Sequence, residues 1–213
     1  MDNGSQSHSF FLIEDHEMMR KGISAVLRET GRWTSLGGVA SLEEAHTVFP
    51  SLPRIPDLII LDLELRYMKQ KEWGLEFIPW LKNHCKNRNG KVPPVLIYTV
   101  YDGYAHIKSA MDYGARGFVS KYEGQEELEN AMRALLDGRV YISRSLLPVY
   151  SKLPGIIDTL TRREQQIFAF LQEDRDNQSI AERLGLSLHS VENYVSRIVD
   201  KLGLKNRREL RDL

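Results

Sequence analysis

The chain has 213 residues, and its 29 Lys and Arg balance its 29 Asp and Glu, so the formal charge at neutral pH is zero. With 42% hydrophobic and 27% charged residues it is long enough, and ordinary enough, for one large globular domain or two modest ones. The neutral sum gives no pointer to nucleic acid, no apolar stretch approaches the roughly 18 residues of a membrane span, and the polar residues 1–9 lack the pattern of a signal peptide. Cys85 is the sole cysteine, which excludes a disulfide within the chain and, with no signal, favours a cytoplasmic location.

Residues 10–136 alternate short apolar runs with helical patterns. Phe10-Phe11-Leu12-Ile13 predicts a strand ending in Glu14-Asp15, and Met18, Met19, Ile23, Val26 and Leu27 share one helical face until Gly31 stops it. Residues 36–40 read as a second strand. Ser41 with Glu44 makes a capping box for a short helix that ends before Pro50. Leu58-Ile59-Ile60-Leu61, running into Asp62, has the continuous apolarity of a strand buried on both faces. Residues 74–81 read as helix, Pro93-Pro94 breaks the chain, and Val95-Leu96-Ile97-Tyr98 is a fourth strand ending at Thr99. After a helix marked by Ile107, Ala110, Met111 and Ala115, Gly117-Phe118-Val119-Ser120 is a fifth strand ending at Lys121. Leu128, Met132, Leu135 and Leu136 line a last helix that Gly138 closes. Five such units in a row predict an α/β fold, a five-stranded doubly wound parallel sheet with helices on both faces.

Strand ends in such a sheet share one rim, where ligands bind. Here that rim collects Glu14, Asp15, Asp62, Thr99 and Lys121. Singly, each has a plain structural explanation as a helix cap or a surface residue. Together, three carboxylates call for a cation, and hard oxygen ligands suit Mg²⁺. An ammonium and a hydroxyl beside them can hold the oxygens of a phosphoryl group, with Asp62, at the end of the central strand, as the best nucleophile.

This order of groups resembles the receiver domain of two-component response regulators: an acidic pair after the first strand, an acceptor Asp after the third, Thr or Ser after the fourth and Lys after the fifth. The resemblance implies that Asp62 accepts phosphate from a sensor histidine kinase. It implies Mg²⁺ bound by Asp15, Asp62 and the backbone carbonyl of Glu64 with help from Glu14, phosphoryl contacts from Thr99 and Lys121, and an aromatic switch at Phe118. Two departures stand out. Arg66 occupies the position of a usual Pro, and Gly74 falls about four residues later than the family's Gly, so residues 67–73 look inserted; residues 83–91 lengthen a second connection. Glu64 adds a further negative charge beside the acceptor.

Residues 137–157 have the Gly, Pro and Ser content of a linker, with one short helical turn over 145–153. Beyond them the pattern is helical. Thr161 with Glu164 is a capping box ahead of Ile167, Phe168, Phe170 and Leu171; Ile180, Ala181 and Leu184 mark a second helix ending at Gly185; Ser187 caps a third with Val191, Val195, Ile198 and Leu202 on one face; a fourth starts near Arg207. From this pattern alone, a helix-turn-helix and a protein-docking bundle are equally good readings. The runs Leu160-Thr161-Arg162-Arg163-Glu164, Ile180 to Ser187 and Lys201-Leu202-Gly203-Leu204 resemble the LuxR-type helix-turn-helix of NarL/FixJ regulators over nearly all of 158–213. That implies a recognition helix over 187–201 presenting His189, Glu192, Asn193, Ser196, Arg197 and Asp200. Asn193 and Arg197 suit base edges, and Lys205, Arg207 and Arg208 suit phosphates.

Charge runs against strong monomeric binding: residues 151–213 hold eleven Lys and Arg against ten Asp and Glu. Phosphate neutralisation supplies most non-specific affinity, so such a module depends on dimerisation or on a partner. The sequence therefore predicts a receiver over 9–136, a linker over 137–157 and a DNA-binding domain over 158–213. Its function is that of a phosphorylation-controlled transcription factor, homodimeric when active, binding double-stranded DNA and Mg²⁺, without a membrane role and with no enzyme activity beyond its own phosphoryl transfer and dephosphorylation. The alternatives are action without phosphorylation, a partner-dependent heterodimer, and a phosphatase of the haloacid dehalogenase type. The last has the wrong order of groups, since those enzymes place the nucleophile after their first strand.

Overall fold

The structure is a computed structural model that describes residues 7–67, 70–87, 90–147, 159–173, 175–202, 204, 206, 207 and 210. The chain divides into two compact units, residues 1–100 with 113–143, and residues 101–112 with 144–213.

The first unit is built on a parallel sheet. Strands β1 (His8–Ile13), β2 (Trp33–Val39), β3 (Leu58–Leu61), β6 (Val95–Thr99), β7 (Gly117–Ser120) and β8 (Tyr141–Ile142) lie in the order β2-β1-β3-β6-β7-β8. Between β3 and β6 the strands β4 (Glu64–Tyr67) and β5 (Gln70–Trp73) form a separate antiparallel pair. Helices α1 (Glu17–Glu29), α2 (Leu42–Val48), α3 (Phe77–Asn87) and α5 (Gln125–Leu136) connect or follow the strands of this unit, while α4 (Tyr104–Tyr113) falls largely in the residues grouped with the second unit. All four residues of β3 are buried, as an apolar run covered on both faces requires. One face of the sheet, through Phe10, Leu12, Leu58, Ile60, Leu96 and Val119, packs with Ile23 and Leu27 of α1 and with Leu128, Met132 and Leu135 of α5. On the other, Phe11 meets Phe49 edge-on at 5.7 Å between ring centroids, and Phe49 meets Phe77.

Several expectations are amended. Strand β2 begins at Trp33, three residues ahead of the apolar run, because its pairing with β1 starts at His8 opposite Trp33. The extra length is not a plain loop: Glu64 pairs with Trp73 and Leu65 with Glu72, so its described residues 67 and 70–73 belong to an antiparallel hairpin. Part of 137–157 is sheet rather than linker. Gly138, at φ 77°, donates its amide to Leu135 and turns the chain back. Tyr141 and Ser143 then donate amides to the carbonyls of Arg116 and Phe118, which adds a sixth, edge strand. The helical turn expected over 145–153 lies mostly outside the described residues, as does the fourth helix near Arg207.

In the second unit α6 (Arg162–Gln172), α7 (Asn177–Leu184) and α8 (Leu188–Lys201) bury Ile167, Phe168, Phe170, Leu171, Ile180, Val191, Val195 and Ile198. The Thr161–Glu164 capping box is complete. Gly185 ends α7 in the left-handed conformation at φ 61°, and two residues later the Ser187 side chain accepts from the Ser190 amide to start α8. Helix, glycine turn, helix is thus set by two local caps.

Candidate functional site

Ligand sites in doubly wound sheets fall where the strand order reverses, and here that is the carboxyl end of β1 and β3. The residues after those strands are Glu14 and Asp62, nearly closed to solvent at 1% and 6% exposure. Thr99, the last residue of β6, is fully buried, and Lys121 follows β7. All the rim groups expected from the sequence meet here. Lys121 Nζ lies 2.6 Å from Glu14 Oε2 and 2.6 Å from Asp62 Oδ2, one ammonium between two carboxylates.

The electrostatics follow from burial. Desolvation pushes the Glu14 carboxyl above its usual range, and the facing Asp62 charge adds to this, while Lys121 opposes it. Desolvation likewise raises Asp62 against the Lys121 ammonium, the Thr99 hydroxyl and the Leu63 amide. Burial works against the charge on Lys121, but Asp62 and Glu14 more than offset this and hold its ammonium above the usual lysine range. Asp62 Oδ1 is buried without a hydrogen bond of ordinary geometry. A buried acceptor in that condition costs free energy until a donor or cation reaches it.

Asp15 is held differently. Its Oδ1 is 3.0 Å from His16 Nδ1, and its Oδ2 accepts the Arg66 amide at 3.1 Å. Ligand atoms of Glu14, Asp15 and His16 lie within 4.8 Å of one another, a spacing able to hold a metal ion. Carboxylate oxygens and the unpaired Asp62 Oδ1 make a donor set that fits a hard divalent cation such as Mg²⁺. Glu64 is buried, with Oε1 3.6 Å from Arg66 Nε, and Phe118 is buried completely.

Four contributors escaped sequence reasoning. His16 touches both acidic neighbours, its amide donating to Glu14 Oε1. Arg20 Nη1 donates to the carbonyls of Glu14 and Asp15 and fixes the acidic loop. The Arg66 amide reaches Asp15 only because the hairpin exists. Gly74 sits against the Asp62 carbonyl, so closely that no Cβ fits. Of these only Arg66 and Gly74 left a signal, as an arginine where the resemblance leads one to expect proline and a glycine displaced from its expected position.

On α8, the side chains expected to face outward do so: His189, Glu192, Asn193, Ser196, Arg197 and Asp200 are all exposed. Arg197 lies over the Tyr194 ring at 4.5 Å, and Asn193 Nδ2 is 3.2 Å from His189 Nε2. Arg207 is engaged internally, with its guanidinium on Asn177 Oδ1 at 2.6 Å and on the Arg175 carbonyl. Lys205 and Arg208 lie outside the described residues.

An acidic pocket with one bridging ammonium on a doubly wound sheet, followed by a helix-turn-helix, defines the class of receiver-linked regulators. The family comparisons agree. Residues 10–133 match the response regulator receiver domain, and residues 158–213 match the bacterial regulatory proteins of the luxR family. The chain belongs to the response regulators, in the branch that joins a receiver domain to a LuxR-type DNA-binding domain. It is 30% identical over 206 residues to the DNA-binding transcriptional activator DevR/DosR of Mycobacterium tuberculosis, covering 92% of this chain and 89% of that one. It is 28% identical over 203 residues to the transcriptional regulatory protein DesR of Bacillus subtilis, covering 94% and 93%. In fold it is similar to RcsB from Salmonella enterica serovar Typhimurium bound to a promoter in the presence of the phosphomimetic BeF3-, with a TM-score of 0.72 and 21% identity over 97% of this chain and 98% of that one. Receiver domains typically bind Mg²⁺ and are phosphorylated, and regulators of this family are not normally enzymes. Among the described residues no helix is long and apolar enough to cross a membrane.

Proposed function

We propose that Asp62 is the phosphoacceptor and that its phosphorylation by a sensor histidine kinase controls DNA binding through the helix-turn-helix. The observation that carries this reading is Lys121, held 2.6 Å from both Glu14 and Asp62 at the sheet's reversal point. An Asp62 oxygen attacks phosphorus as the bond from phosphorus to the kinase imidazole nitrogen breaks, and the electron pair of that bond stays on the nitrogen. Lys121 then has a phosphoryl oxygen to hold in place of a bare carboxylate, and the Thr99 hydroxyl, at the end of the neighbouring strand, donates to another. Asp15, Asp62 and the carbonyl of Glu64 would hold Mg²⁺, with Glu14 assisting. Bound there, the ion neutralises charge on the transferring phosphoryl group. Phe118, fully buried and in register with Ile97 two residues before Thr99, is the aromatic expected to respond to that new bond.

On this reading the receiver, extended by its sixth strand, runs from residue 9 to 143, a shorter linker follows, and the DNA-binding domain spans 158–213. His189, Glu192, Asn193, Ser196 and Arg197 face the major groove and Lys205 and Arg208 serve the phosphate backbone, while Arg207, expected beside them, is taken up by Asn177 and the Arg175 carbonyl. The active form is a homodimer on paired half-sites, working in the cytoplasm, and the only chemistry is the chain's own phosphoryl transfer and dephosphorylation. A partner-dependent heterodimer is the second reading. One observation favours it: the 151–213 module has an excess of a single positive charge, eleven against ten.

Selection of random-sequence DNA by the full chain, with and without acetyl phosphate and Mg²⁺, beside Asp62→Ala, tests both. Palindromic sites whose affinity rises with the donor in wild type alone support the phospho-switch. Binding indifferent to the donor removes Asp62 from control, and no selection in either state favours the heterodimer.

A further inference from the structure

A cleft of about 620 Å³ lies between α1 and β2, and none of Glu14, Asp15, Asp62, Thr99 and Lys121 lines it. Its size falls in the range of roughly 300–1,000 Å³ usual for small-molecule sites. Arg20, Lys21 and Arg28 line it, two adjacent cations and a third about two helical turns further along α1, and no carboxylate lines it with them. Hydroxyls of Ser24 and Ser35 add neutral donors. Lys21 pairs with the exposed Glu17 at 2.6 Å, and Arg28 is exposed. Trp33 forms part of the lining, 3% exposed, and its indole Nε1–H is buried without an acceptor. Buried donors are almost always satisfied, so an unmet N–H in a cation-lined cleft marks a place short of acceptors.

The local backbone is shaped to keep the cleft open. Phe10 pairs with Ser35 but Leu12 with Gly38, so β2 carries one extra residue, a bulge at Gly37 with φ 132°. A Cβ at Gly38 would stand 3.0 Å from Arg20 Cδ. The bare glycine therefore lets the Arg20 stem lie across β2, from where Nη1 reaches the carbonyls of Glu14 and Asp15. One side chain thus lines the cleft and braces the acidic loop.

We infer that this cleft binds an organic diphosphate of nucleotide size, with its phosphates on Arg20, Lys21 and Arg28. Three cations match the charge of a diphosphate, and the volume is far larger than a lone inorganic ion fills. Because Arg20 also holds the acidic loop, such a ligand is a second input to the regulator beside phosphorylation.

The test uses the full chain without Mg²⁺, titrated with pyrophosphate and with ADP, and followed by the Trp33 indole N–H resonance in proton–nitrogen correlation spectra. The chain has 3 Trp, so Trp73→Phe and Trp80→Phe spectra assign the Trp33 signal by elimination, without touching the cleft. The expected result is a saturable shift of that signal with ADP, persisting in Asp62→Ala and weakened about tenfold or more in Arg28→Glu and in Lys21→Glu, since each removes a charge-assisted contact. Both substituted residues are exposed, so the variants keep the fold. A shift with pyrophosphate alone confines the site to inorganic anions and overturns the nucleotide-sized ligand. No saturable shift with either probe, or a shift that both charge reversals leave unchanged, overturns the site altogether.

Discussion

Gly74→Ala is the substitution that couples fold and site most directly. Gly74 follows the β4–β5 hairpin, and its amide donates to the Leu63 carbonyl at 2.7 Å. An added Cβ would fall well inside 3.0 Å of the Asp62 carbonyl oxygen, a distance that real Cβ atoms essentially never show. The obstacle is backbone at the end of a strand whose four residues are all buried, so it cannot swing aside as a side-chain tip would. Overpacking typically costs about 1–3 kcal/mol, and a clash of backbone with a buried strand end belongs near the upper figure. Taking about 3 kcal/mol, the melting temperature of the first unit should fall by roughly 10 °C. The chain must also carry Asp62 away by something on the order of an ångström, and a misplacement of that size can cost about a hundredfold in rate. Urea titration measures the first effect, and the rate of Asp62 phosphorylation from acetyl phosphate measures the second. Gly22→Ala is the control: Gly22 lies in α1 with open space around its Cα, and Ala there should stabilise by about 0.5–1 kcal/mol and leave the phosphorylation rate alone. Wild-type stability and wild-type rate in Gly74→Ala would refute the reasoning from close approach.

Three further outcomes are expected. Lys121→Met leaves Glu14 and Asp62 facing each other in a buried pocket, and in EDTA at neutral pH it should destabilise by about 3–5 kcal/mol. The deficit should shrink as the pH falls and the carboxyls take up protons; a loss under about 1 kcal/mol, or one that grows in acid, counts against the bridging role. Asp62→Asn, also in EDTA, should be more stable than wild type at neutral pH. The sign follows from the raised folded-state pKa of Asp62: the folded chain holds that proton more tightly than the unfolded chain, so the cost is absent below the ordinary carboxylate range and grows as pH rises through the raised value. Denaturation curves from pH 4 to 8 should therefore show the gain vanishing in acid, and a gain independent of pH would assign it to packing. In the second unit, buried Glu164 Oε2 accepts from the Thr161 amide at 2.7 Å, the Thr161 hydroxyl at 2.8 Å and Lys201 Nζ at 2.6 Å. Glu164→Ala should cost about 2 kcal/mol in a thermal melt, with Glu164→Gln recovering part of it, and a change under about 0.5 kcal/mol would show that the cap carries little.

What the sequence made legible is what short-range chemistry writes into it. An apolar run bounded by polar residues has one economical fate, a covered strand, and Leu58–Leu61 meets it, which is why the sequence alone puts Asp62 on the rim. Caps span three residues, so Thr161 with Glu164 and Ser187 with Ser190 could be read by spacing alone. The Ser41 cap shows where that ends: Ser41 accepts from the Glu44 amide as expected, but the Glu44 carboxylate turns to the Ala40 amide instead of closing on Ser41. The hairpin and β8 were hidden for a different reason. Both depend on backbone pairing, and neither sequence has the length or the turn residues that advertise it: β8 is two residues long, held by the carbonyls of Arg116 and Phe118 more than twenty positions away.

The same limit governs charge. A sequence shows how many cations a segment has but not which are already occupied. Arg207 looks like a phosphate contact beside a recognition helix, yet its guanidinium closes on Asn177 and the Arg175 carbonyl and so anchors the start of α7. Lys121 looks like one of many surface lysines, yet it lies buried between two carboxylates. Arg20 has no signature at all, and still braces the acidic loop from a helix position six residues away. Counting charge in 151–213 therefore overstates what is available to DNA, because Arg207 and Lys201 are both committed within the unit. A single module thus brings few uncommitted cations to a phosphate backbone, and joining it to a second copy or a partner is the direct way to recover affinity.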